Sequence, residues 1–148
     1  MIEGTVDLTR VYAQPAEAVF AAWASEQAQR IWGDPGEGWD LTFEVFRFAV
    51  GETDICRFGP TGGRHYINEI RYLAIEPAKR IVYSSSLASQ GRLTFAGTVA
   101  ATFEPVQGGT RLRLLEQGLY FDGLDDLEGH RSGWQGMLEQ LAAYLGRT

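Results

Sequence analysis

Cys56 and His65 flank the turn "GPTGG", and a cysteine beside a histidine can make a thiolate nucleophile. If the two sit directly opposite on neighbouring strands they share a face. A slip of one residue places Tyr66 opposite Cys56 and turns the imidazole away. The residues alone leave that register open, and the plainer reading is a small buried thiol beside a partly exposed imidazole. His130 falls on or beside an apolar stripe with Trp134 one turn on. There it could act as a general base or a hydrogen-bond donor near neutral pH, the one catalytic candidate of the chain, or simply edge the core.

Other chemistries find little support. A metal site needs three or four converging ligands, and His65, His130 and Cys56 stand at no ligand spacing, so no metal is expected. No GxSxG, P-loop, dinucleotide fingerprint or HExxH occurs, so no cofactor is expected either. Arg47, Arg57, Arg71 and Arg113 could each orient a carboxylate bidentately. Most have a simpler role as surface ion pairs with Glu44, Glu69 or Glu116, but Arg47 shares the parity of Phe43 and Val45 and is kept as a ligand contact.

The aromatic residues carry more information. Trp23, Trp32, Trp39 and Trp134, with Phe43, Tyr66, Tyr83 and Phe95, supply large apolar area. Buried Trp and Tyr also need partners for N–H and O–H groups, which a ligand-filled cavity accommodates. A subset of these residues, with Arg47 and His130, is therefore expected to line a binding site.

The elements that must position them can be read from hydrophobic period. Residues 5–12, "TVDLTRVY", alternate as a half-buried strand. Pro15 opens a helix whose Val19, Phe20 and Trp23 recur at helical spacing, and Ser25 caps a second short helix that ends at "GDPGEG". From Trp39 onward six strand-like runs, "WDLTFEVFRFAV", "TDICRFG", "RHYINEIRYLAI", "RIVYSSSL", "RLTFAGTVAATFE" and "TRLRLLEQ", are separated by short Gly- or Pro-bearing breaks. Short connections predict an antiparallel meander. In residues 92–104 the alternation puts Leu93, Phe95, Val99, Ala101 and Phe103 on one face, with Gly97 among them. After Gly123 the period becomes helical, with Leu127, Trp134, Leu138, Leu141 and Leu145 on one stripe. One sheet with one apolar face needs a cover, and this long helix is the element to supply it. The expected class is α+β, and the 148 residues suit one domain, 1–148.

The ordered set of Ala-Gln-Pro-x-x-x-Val-Phe-x-x-Trp within 13–23, "RIWG" at 30–33, Glu76-Pro77 with "RIVY" at 80–83, "GGTRLRL" at 108–114, and Gly133-Trp134 before "LEQLAAYL" resembles the activator-of-heat-shock-ATPase homologue family. That family belongs to the START-like helix-grip superfamily, with pollen-allergen-like proteins and polyketide cyclases. The resemblance implies a seven-stranded antiparallel sheet gripping the C-terminal helix, with a cavity between them. The chain departs from the family at the turn after the second strand. Relatives carry an acid before a Gly-Gly pair there, and here Arg47 and Gly51-Glu52 stand.

A formal charge of −6 argues against binding to nucleic acid. Without a basic leader or a long apolar run, no membrane insertion is expected and the cytoplasm is the expected location. The expected partner is a small apolar or aromatic molecule bound by a monomer or homodimer. The alternatives are a cyclase- or hydrolase-type enzyme working on such a ligand, and a chaperone-interacting module. Phe20 and Trp23, with Trp32 and Trp39, are expected to wall the cavity's mouth.

Overall fold

The computed structural model describes residues 1–147. β1 (Ile2–Tyr12) is followed by α1 (Ala16–Ala24) and α2 (Glu26–Trp32). Six strands come next: β2 (Trp39–Val45), β3 (Thr53–Pro60), β4 (Tyr66–Glu76), β5 (Arg80–Ser89), β6 (Arg92–Val106) and β7 (Gly109–Tyr120). The chain closes with α3 (Leu127–Leu145). The strands form one antiparallel sheet in the order β1-β7-β6-β5-β4-β3-β2, so β2 to β7 meander and β1 returns beside β7. This is the expected α+β helix-grip arrangement.

Local chemistry fixes the helix starts. Pro15 has φ −69° and ψ 159° immediately before α1. The Ser25 hydroxyl accepts from the Ala28 amide at 3.1 Å and starts α2. Asp126 does the same for α3 through the Gly129 amide at 2.6 Å. On α3, Leu138, Leu141 and Leu145 are fully buried and meet Val6, Leu112 and Leu114 of the sheet in one continuous core. That core lies under the C-terminal half of α3 and leaves the other end of the sheet to be covered differently.

Two strand readings change. The expected strand from Trp39 to Val50 stops at Val45, after an irregularity between Phe43 and Val45. The buried carboxylate of Asp54 captures the chain beyond it. One oxygen accepts from the Arg47 and Phe48 amides at 2.6 and 3.3 Å, and the other accepts from the Tyr72 hydroxyl at 2.8 Å. Phe48 there has φ 44°. Asp54→Asn keeps the shape but turns one acceptor into a donor. A loss of about 1–3 kcal/mol in urea denaturation is expected, and an unchanged midpoint would show that water replaces the lost acceptor.

The second change is on β6. Leu87 pairs with Phe95 but Ala88 pairs with Leu93, so Thr94 is an extra residue in the strand. The bulge reverses the alternation: Thr94 is buried and Leu93, expected inside, is 44% exposed.

Candidate functional site

The sheet presents its side chains in rows, because residues paired across antiparallel strands share a face. One row runs Tyr72, Tyr83, Val99 and Glu116 across β4 to β7. The next runs Ile70, Ser85, Gly97 and Gly118, with the ring of Phe95 lying over its two glycines. Between α3 and strands β2 to β7 lies a cavity of about 620 Å³. Its walls are mainly apolar and aromatic.

α3 contributes two kinds of residue to this cavity. His130, Trp134 and Met137 reach into it, while Gly133 and Gly136 face it with nothing within 4 Å of where a Cβ would stand. A glycine inside a helix costs about 1 kcal/mol relative to alanine, so these two positions give up helix stability and keep the cavity open.

One end of the cavity is polar. Glu116, 4% exposed although charged, accepts from the Trp134 indole at 3.0 Å and lies 2.7 Å from His130 Nδ1. The other ring nitrogen, Nε2, is 2.7 Å from Asp125. Burial by itself disfavours a charged imidazole, but hydrogen bonds to Asp125 and Glu116 and the two negative charges outweigh it, raising the His130 pKa to about 9. At neutral pH His130 is therefore an imidazolium donating from both nitrogens. The ring rests on Phe95, with centroids 4.4 Å apart, and meets Tyr120 edge-on at 5.1 Å. Gly97 and Gly118 make room for Phe95, since a Cβ on either would lie 2.8 or 2.5 Å from its ring.

Most of the expected site residues come together here. Trp23, Trp32, Trp39, Phe43, Tyr66, Tyr83, His130 and Trp134 all border the cavity. Phe95 does not reach the wall. It is fully buried behind it and supports His130. Arg47 is also off the wall: the strand ends before it, so its parity with Phe43 is lost and its side chain is exposed.

The mouth differs from expectation too. Trp23 and Trp32 are each 3% exposed, with rings 4.9 Å apart, and belong to the core. Phe20 packs between Phe48 and Phe103, away from the cavity. The rim is formed by Trp39, 42% exposed, and the 33–35 segment. The Gln140 amide ties that segment to α3 by donating to the carbonyls of Trp32 and Asp34 at 2.8 and 3.1 Å.

Cys56 and His65 do not form a dyad. Cys56 pairs with Asn68 and Phe58 with Tyr66, so neither register considered for Cys56 is adopted, and His65 lies beyond the paired residues. Burial raises the Cys56 thiol to about 12, which keeps it protonated, and His65 instead contacts the Pro60 carbonyl at 3.3 Å. Arg57 pairs with Glu44, and Arg113 pairs with Asp7 rather than Glu116. Among the described residues no arginine or lysine lines the cavity, and no three ligating groups are placed to hold a metal ion. No helix among them is long and apolar enough to cross a membrane.

Comparison with known proteins agrees with this architecture. A family model for activator of Hsp90 ATPase homolog 1-like proteins matches residues 13–146. The structure of Mll3558 from Rhizobium loti is 34% identical, with 97% of each chain covered and a TM-score of 0.86. A protein of Rhizobium leguminosarum is 26% identical over 99% of this chain and 97% of its own, with a TM-score of 0.89. CV1439 of Chromobacterium violaceum is 28% identical over 95% and 96%, with a TM-score of 0.85. No protein of curated function matches the chain. With a family model spanning nearly all of the sequence, the chain belongs to the activator of Hsp90 ATPase homolog 1-like family, whose START-like fold is commonly a ligand-binding one.

Proposed function

We propose that this protein binds a small, largely apolar or aromatic molecule in the cavity between α3 and the sheet. The observation that carries the reading is the cavity itself: about 620 Å³, aromatic-walled, and polar at one end. That volume suits a small ligand, and the composition matches sites where apolar contact supplies affinity and a few polar groups set orientation. Gly133 and Gly136 on the cavity face of α3 support it, because alanine at either would strengthen the helix.

The acid–base alternative is favoured by one feature, the convergence of Glu116, His130 and Asp125. It is weakened by another. A general base needs a ring nitrogen with a free lone pair, and both nitrogens of His130 are engaged with carboxylates. Binding therefore ranks first.

Native mass spectrometry of the purified protein, followed by denaturation and identification of released molecules, tests the reading. A stoichiometric apolar or aromatic compound is expected with the wild type. Gly136→Leu fills the cavity from an open helix position and is expected to stay folded and lose the compound. Equal retention by a folded Gly136→Leu protein would mean that the molecule sits elsewhere.

A further inference from the structure

The polar end of the cavity is built almost entirely from acceptors. Each oxygen of Glu116 receives one hydrogen bond from the protein, from His130 or from Trp134, and a carboxylate oxygen can accept a second. Asp125 likewise takes His130 on one oxygen and the Asp126 amide on the other. The charged groups on the wall are the carboxylates of Glu116, Asp125 and, at the rim, Asp34, against the single imidazolium of His130. His130 spends both of its N–H groups on these carboxylates and has none left for a ligand.

Tyr83 supplies an independent observation. It is 94% buried by its 6% exposure, lies in the same cross-strand row as Glu116 with only Val99 between them, and borders the cavity. Its hydroxyl makes no hydrogen bond to the described residues, yet it is not among the polar atoms sealed off inside the protein. A phenol left unpartnered on a cavity wall, two strands from a carboxylate on the same face, marks the place of a ligand's polar group. A ligand hydroxyl there would accept from Tyr83 and donate to Glu116. A protonated amine would donate to both oxygens. A carboxylate there would meet the like charge of Glu116 after losing its own water.

We propose, resting on the ligand-binding reading above, that the cavity selects an apolar or aromatic molecule whose polar group is an uncharged or cationic hydrogen-bond donor, a hydroxyl or an amine, and rejects carboxylates. The selectivity lies in Glu116 and Tyr83.

The test uses three probes on one skeleton, 2-naphthalenemethanol, 2-naphthalenemethylamine and 2-naphthoate, titrated calorimetrically into the wild type at pH 7 and fixed ionic strength. The alcohol and the amine are expected to bind at least about tenfold more tightly than the carboxylate, the ratio that about 1.4 kcal/mol produces. Glu116→Gln should narrow the gap between amine and carboxylate. Tyr83→Phe, which keeps the ring and the packing, should weaken the alcohol several-fold. Naphthoate binding as tightly as the other two would overturn the selectivity and leave the cavity reading intact. Binding of none of the three, or equal binding of all by a folded Gly136→Leu variant, would remove the cavity reading and this inference together.

Discussion

Replacing Glu116 with alanine is expected to destabilise the protein by about 3–5 kcal/mol, the range for removing one partner of a buried ion pair. The carboxylate is 4% exposed, and its two oxygens serve groups on α3 that have no substitute acceptor, the Trp134 indole and His130 Nδ1. Losing it strands two donors at the point where β7 meets the helix. It also leaves Asp125 as the sole carboxylate on the imidazole, so the His130 pKa should fall from about 9 towards its ordinary value. Urea denaturation at pH 7 reads the first effect, and an NMR titration of the His130 ring reads the second. Because the site borders the cavity, water can reach the freed groups, which places the expected loss nearer 3 than 5 kcal/mol. A loss under about 1 kcal/mol would mean that hydration replaces the carboxylate fully and that this cluster does not fasten the helix. Glu116→Gln separates the two effects, since its amide oxygen can still accept from Trp134 while the charge is gone.

Glu116 was legible in the sequence and was assigned to the surface. In "TRLRLLEQ" the buried leucines are Leu112 and Leu114, and Glu116 continues their parity. Strict alternation therefore puts a carboxylate on the inner face, a stronger signal than any single histidine. The surface ion pair that the strand arginines offer it does not form, since Arg113 reaches Asp7 on the neighbouring strand and Arg57 reaches Glu44. Asp125 could not be found this way. It lies between β7 and α3, where no period constrains it, and only the folded turn brings it to His130.

The fold was legible for a simple reason. Long alternating runs and one long helical stripe admit few arrangements once the connections are short. What escaped was the local breaking of those periods. The extra residue at Thr94 turned Leu93 outward, and the capture of the Arg47 and Phe48 amides by Asp54 ended β2 early and took Arg47 off the site. Both depend on contacts with a neighbouring strand, which a one-strand pattern does not contain. Gly97 falls on the inner face in the alternation, and the ring of Phe95 from its own strand is tucked over it and Gly118.

The His130 cluster should also give the protein an alkaline limit. In the unfolded chain a histidine releases its proton near pH 6.5, whereas in the native state His130 holds it until about 9. Between these values the native state binds one more proton than the unfolded state, so stability falls as pH rises, by about 1.4 kcal/mol per unit. The contribution is fully present below pH 6.5 and gone above 9, a total of about 3 kcal/mol. Burial raises the Cys56 thiol and the buried tyrosines as well, and these too favour the native state at lower pH. Their unfolded values begin at 9.0, however, so the interval below that belongs to His130. Urea midpoints at half-unit steps from pH 6 to 9 should decline steadily for the wild type. His130→Gln should be less stable at pH 6 but nearly flat over the same range. A wild-type profile that is itself flat, or that rises, would mean that the imidazole is not held charged by Glu116 and Asp125 in the native state, and would reopen the acid–base reading of the cavity.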